Sequence, residues 1–113
     1  MTGKKKYLQP KDMVLSAIHD LAAQQKAKTL TSDSARGIVK LQVSIYEDVW
    51  EFQFIIEDAG GSRSGVTIEL AGETRDTKRL IDNEFALLDF ILTDRARIEF
   101  EELGVVREEA KGL

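Results

Sequence analysis

Catalytic and metal-binding sites draw on a small set of side chains, and this chain is poor in the most specialised of them. His19 is the single histidine, and there is no cysteine. One imidazole cannot make a two-histidine metal site. Without thiols there is no disulfide framework, no thiolate nucleophile and no cysteine-ligated zinc or iron–sulfur centre. His19 sits beside Asp20, one position off an apolar helical stripe, with nothing nearby to hold and shield it as acid–base catalysis requires. It reads as a boundary residue. Acidic groups are plentiful, but a catalytic carboxylate pair needs environments that separate its two pKa values. Glu51, Glu57 and Glu69 fall at outward positions of strand-like alternations, and Asp82, Glu84 and Asp89 are placed off the apolar stripe of a predicted helix. All six are therefore expected to be solvated. No calcium-loop spacing of the DxDxDG type occurs. The sequence thus predicts no catalytic residue, no cofactor, no bound metal and no enzyme activity.

Two groups of residues suit binding. The first is cationic: Lys4, Lys5 and Lys6 near the start, and Arg63 within Gly60-Gly61-Ser62-Arg63-Ser64-Gly65. Backbone amides of such a glycine-rich loop can hold an anion with an arginine as counter-charge. This loop leads into a strand pattern and lacks the lysine of a phosphate loop, so a mobile hairpin connection is the expectation. The second group is apolar: Ile38, Tyr46, Val49 and Ile55 fall on the outward side of the sheet pattern, with Tyr46 paired to Val49 beside a turn. Outward apolar groups are what an interaction surface requires. Trp50, Phe52 and Phe54 alternate on the opposite, inward side, so they are expected in the core and not as a base-stacking platform.

The elements that must position these groups are legible as periodicities. Val14, Ala17, Ile18, Leu21 and Ala22 recur at three and four, predicting a helix over 10–28 with Pro10 at its first position. The polar run 29–34 reads as a loop. Val39, Leu41, Val43 and Ile45 alternate with polar residues, as do Trp50, Phe52, Phe54 and Ile56. A turn at Glu47-Asp48 would set Ile45 against Trp50, Val43 against Phe52, Leu41 against Phe54 and Val39 against Ile56. Val66, Ile68 and Leu70 supply a third strand after a flexible 59–65 connection, and Leu80, Ile81, Phe85, Leu88, Ile91 and Leu92 the stripe of a helix over 77–92. Residues 94–113 fit a helix capped at Thr93-Asp94 or a short edge strand, the helix being favoured by their Glu, Arg and Ala content. The predicted fold is α+β, a two-layer sandwich. A three-stranded antiparallel β-meander carries helices on one face (αβββα), plus a C-terminal helix or edge strand. Residues 1–9 are expected to be a disordered basic arm, 10–103 a single α+β domain, and 104–113 a tail.

That element order is also the order of double-stranded-RNA-binding domains. Those grip phosphate through lysines at the second helix's start, where this chain has Glu73-Thr74-Arg75-Asp76-Thr77-Lys78-Arg79. Order alone says nothing of function. The charge balance agrees. Among 113 residues, sixteen basic and twenty acidic groups leave −4. Residues 1–28 hold six basic and two acidic groups, and the remainder is strongly anionic. General nucleic-acid affinity is not expected from such a chain. No signal-peptide core or membrane-length apolar run is present, so a cytoplasmic location is the expectation. Together these features predict a non-enzymatic binding or regulatory module acting through protein–protein contacts, with a homodimer among its forms. The alternative is a nucleic-acid-associated protein using the cationic N-terminal segment.

Overall fold

Each alternating stretch becomes a strand, and two further strands form where the sequence carries almost no alternation. The computed structural model describes residues 2–45, 47–72 and 75–103, with side chains through residue 95. Strands β1 (Thr2–Tyr7), β2 (Lys28–Asp33), β3 (Ile38–Ile45), β4 (Asp48–Gly60) and β5 (Arg63–Leu70) join two helices, α1 (Lys11–Gln24) and α2 (Thr77–Leu103). The strands form one antiparallel sheet in the order β1-β5-β4-β3-β2. The fold is α+β, as the sequence predicts, but the three-stranded meander is the centre of a five-stranded open sheet.

The central hairpin pairs Val39 with Phe54, Leu41 with Phe52 and Val43 with Trp50, while Ile45 stands opposite Asp48. This register differs by two residues from the predicted one, in which Val39 met Ile56. The strand period is two, so a slip of two keeps every side chain on its face. Val39, Leu41, Val43, Phe52, Phe54 and Ile56 are buried in either register. Hydrophobic pattern fixes parity; turn geometry decides the remaining step. The expected flexible connection over 59–65 is instead a tight turn. Gly61 and Ser62 both have φ near +60°, which matches a two-residue type I′ hairpin turn. Asp58 Oδ1 accepts the Gly60 amide at 2.8 Å beside a bulge.

The segment expected to be a disordered arm is edge strand β1, paired with β5 from Thr2–Glu69 to Tyr7–Ser64. Its three lysines hide the strand signal, yet lysine is a residue that exposed sheet edges favour. Gly3 explains how close α2 comes: a Cβ there would lie 2.7 Å from Ile81 and 3.0 Å from Phe85. The predicted loop 29–34 lies largely in β2, the opposite edge, with a bulge between Thr29 and Thr31. A bulge shifts parity midway, which erases the alternation that would reveal a strand.

Both helices lie on one face. Helix α1 buries Val14, Leu15, Ala17, Ile18, Leu21 and Ala22, and α2 buries Leu80, Ile81, Phe85, Leu88, Ile91 and Leu92. Pro10 is the residue before α1 and not its first turn, and α1 ends at Gln24, short of the predicted Lys28. It closes with Lys26 at φ 55°, the Lys26 amide bonded to the Ala23 carbonyl and the Ala27 amide to Ala22. That is a Schellman closure with lysine in the position glycine prefers. Helix α2 continues without a break past Thr93-Asp94 to Leu103, so no second cap forms there. The helices run antiparallel: Arg95 reaches the Ser16 carbonyl and pairs with Asp20, while Gln25 meets Glu84. The 104–113 tail lies outside the described residues.

Candidate functional site

Because α1 and α2 share one face, the other face of the sheet is left uncovered among the described residues. Side-chain parity builds it row by row. Ile38 stands opposite Ile55, Ile55 opposite Thr67, and Thr67 opposite Lys4, giving one row across four strands. The neighbouring row runs Lys40, Gln53, Glu69 and Thr2, and the Gln53 amide donates to Glu69 at 3.5 Å. On the other side Glu57 stands opposite Gly65, and Gly65 opposite Lys6. Arg63 shares the outward parity of Gly65, one diagonal step from Lys6, a separation of about 7–8 Å.

The fold therefore joins part of the two predicted groups. Ile38 and Ile55 meet directly and are half-buried against their neighbours. Asp33, Lys40, Gln53, Glu57 and Thr67 are their nearest neighbours on this face. Lys4, Lys6 and Arg63 lie further across it toward β1 and β5, and no ion pair among the described residues engages these last three. Val49 does not join. It is 56% exposed and stands opposite Ser44, about 20 Å from Ile55 at the strand rise. Tyr46, predicted to pair with Val49, lies outside the described residues. Lys5 points to the helical face instead, where it pairs with Asp89 and lies 5.7 Å from the Tyr7 ring centroid.

Two polar clusters on the helical side escaped the sequence reading. Tyr7 is buried and its hydroxyl donates to Asp89 Oδ1 at 2.7 Å. Burial first, then the Asp89 carboxylate, pushes the phenol well above its ordinary range. Lys5, Tyr7 and Asp89 together tie the edge strand to α2. Glu84, expected to be solvated, is 2% exposed and accepts a hydrogen bond from Gln25 Nε2 at 2.8 Å. Burial pushes its carboxyl up to about 7, against a smaller lowering by the Gln25 bond. The signal was present: Leu80, Glu84 and Leu88 recur every four residues, so Glu84 lies within the stripe. Asp89 also departs from the solvated expectation, being half-buried and doubly engaged. His19 links α1 to β2, with Nδ1 2.9 Å from the Leu15 carbonyl and Nε2 3.1 Å from Ser32 Oγ.

A hollow of about 290 Å³ opens where α2 begins, between Asp48 and Trp50 of the hairpin and Arg79, Leu80 and Asn83. Glu84 is not part of its wall. Among the described residues no group of three His, Asp or Glu side chains could hold a metal ion. Nor, among them, is any helix long and apolar enough to cross a membrane.

No protein-family model matches the chain, and no curated protein is similar to it. Among solved structures it is similar to the di-domain ARO/CYC StfQ from the steffimycin biosynthetic pathway. That likeness has 14% identity and a TM-score of 0.48, and covers 89% of this chain but 46% of that one. It is also similar to Ara h 8.0201, at 12% identity and a TM-score of 0.38, over 82% of this chain and 98% of that one. The chain thus spans less than half the length of the first of these proteins.

Proposed function

We propose that the domain is a non-enzymatic binding module that takes a protein partner on the outer face of its sheet. One observation carries this reading: both helices cover the same side, so the adjacent Ile38–Ile55 pair faces outward, with Lys4, Lys6 and Arg63 further across the same face toward β1 and β5. An apolar pair with cations on the β1–β5 side suits a partner presenting an apolar side chain with carboxylates toward that side. The polar clusters on the other face support a structural role for these two acids, since Glu84 and Asp89 each bind a neighbouring element.

Peptide selection on the immobilised domain tests this. The expected binders are rich in acidic and apolar residues, lose affinity on Ile55→Arg, and weaken with Lys6→Glu or added salt. Binders indifferent to all three changes would overturn the assignment of the surface. The alternative, nucleic acid, uses the same cations. The outward Ile38–Ile55 pair gives a phosphate backbone nothing to bind, whereas an apolar side chain can cover it, which favours a protein partner. Salt-dependent oligonucleotide binding at about 50 mM salt, abolished by a Lys4→Glu, Lys6→Glu double variant, would reverse that preference.

A further inference from the structure

An open sheet has two edges, and here they differ in what they can pair with. Every two-fold antiparallel overlap of five or more residues between two β1 strands sets lysine against lysine, because Lys4, Lys5 and Lys6 fill its centre. That edge is barred to itself. Strand β2, Lys28-Thr29-Leu30-Thr31-Ser32-Asp33, is different: its two ends carry opposite charges. A two-fold axis between Leu30 and Thr31 would set Lys28 against Asp33 of a second copy and Thr29 against Ser32, twice each.

Such a register requires paired residues to share a face, and in a regular strand residues five apart do not. The bulge between Thr29 and Thr31 supplies the missing step. Lys28 lies opposite the outward Gln42 and Asp33 opposite the outward Ile38, while Thr29 and Ser32 lie opposite the inward Leu41 and Val39. Lys28 and Asp33 therefore project on the same, outer face. Lys28 has no ion pair among the described residues. Asp33 has only Arg36 at 3.7 Å, and the Arg36 amide donates to its Oδ1. Among the described residues, no strand covers the far side of β2.

We infer that β2 is a homodimer edge: two copies pair their β2 strands antiparallel about a two-fold axis, Lys28 of each against Asp33 of the other. The contact is isologous and closes at two copies. Each five-stranded sheet continues into the other, with all helices on one side and both outer faces on the opposite side. The two β3 strands would then lie three strand spacings apart, about 14 Å. The dimer would present two Ile38–Ile55 patches to one partner, raising avidity without new contacts. This use of the edge rests on the binding-module reading, but the edge and the face are separate surfaces and fail separately.

Sedimentation and light scattering of the full chain test it, with circular dichroism to check folding. The expected wild-type species has twice the 12.7 kDa chain mass. Lys28→Asp, which sets a carboxylate against the Asp33 carboxylate of the second copy, should give the monomer at the same concentration. The Lys28→Asp, Asp33→Lys pair should restore the dimer. Because Asp33 also accepts the Arg36 amide, a second readout avoids it: in this cysteine-free chain, Thr31→Cys should cross-link into a disulfide dimer under mild oxidation, whereas Lys4→Cys should not. A wild-type monomer at millimolar concentration, a dimer indifferent to Lys28→Asp, or growth beyond two copies would overturn the inference. A monomer that still selects acidic peptides through Ile55 would refute the edge and leave the module reading standing. A dimer whose peptide binding ignores Ile55 would do the reverse.

Discussion

Glu84 is the side chain whose environment departs furthest from its chemistry. An ionised carboxylate prefers water, and this one is 2% exposed between α1 and α2 with an amide from Gln25. Its carboxyl, ordinarily at 4.5, is pushed up to about 7 chiefly by burial. The folded state then holds a proton more tightly than the unfolded chain. Its favourable effect is complete below pH 4.5 and is lost as pH rises through 7. The full swing is about 3 kcal/mol at the usual conversion. Gln at this position keeps an acceptor for Gln25 and removes the charge. In urea denaturation, Glu84→Gln should match wild type near pH 4 and exceed it by about 2–3 kcal/mol at pH 8. Parallel stability curves from pH 4 to 8 would show that Glu84 ionises freely in the fold. The Leu80–Glu84–Leu88 spacing made this position legible in the sequence, but a glutamate is assigned to solvent by default. Only its packing against Gln25, fifty-nine residues away, reverses that.

At the scale of elements, what could be read and what could not divides on periodicity. The β3–β4 hairpin, the third strand and both helical stripes alternate cleanly, and all of them form. Strand β1 alternates Gly3, Lys5 and Tyr7 inward, types that no hydrophobic pattern detects, and β2 loses its period at the bulge. Both edge strands thus escaped notice for physical reasons, and with them the true extent of the sheet. Half of the candidate surface was legible: parity placed Ile38 and Ile55 outward, while the register that makes them partners depends on a turn without a glycine. Local geometry also leaves one correctable cost. Lys26 closes α1 at φ 55°, where a side chain costs about 1–2 kcal/mol relative to a right-handed residue. Lys26→Gly relieves that strain while adding freedom to the unfolded chain, so a net gain of about 0.5–1 kcal/mol is expected. Thermal melting should show a rise of a few degrees. A lower melting temperature would mean that the lysine side chain makes a compensating contact.

For the molecule as a whole, the N-terminal segment has changed its role. Read as a tail, residues 2–7 could be removed without consequence. In the fold they cover β5, whose Val66, Ile68 and Leu70 run beside a row of otherwise unpaired backbone groups. Tyr7 and Lys5 anchor them through Asp89, and Gly3 lets α2 settle against them. Deleting 2–7 would remove a buried tyrosine, undo the β1–β5 ladder and replace a lysine-guarded edge with a β-branched one. Such an edge, Gly65-Val66-Thr67-Ile68-Glu69-Leu70, is a template for pairing with other chains. The truncated protein is therefore expected to melt well below the full chain and to scatter light increasingly with time and concentration. Charge loss alone leaves the pairing and its anchors in place. A Lys4→Gln, Lys6→Gln variant keeps β1, Lys5 and Tyr7 in place, and should retain the wild-type melting temperature and stay clear. If the truncation is as stable and as soluble as the full chain, β1 contributes nothing to the sheet. If the double variant aggregates as the truncation does, the edge is protected by its charge and not by its pairing.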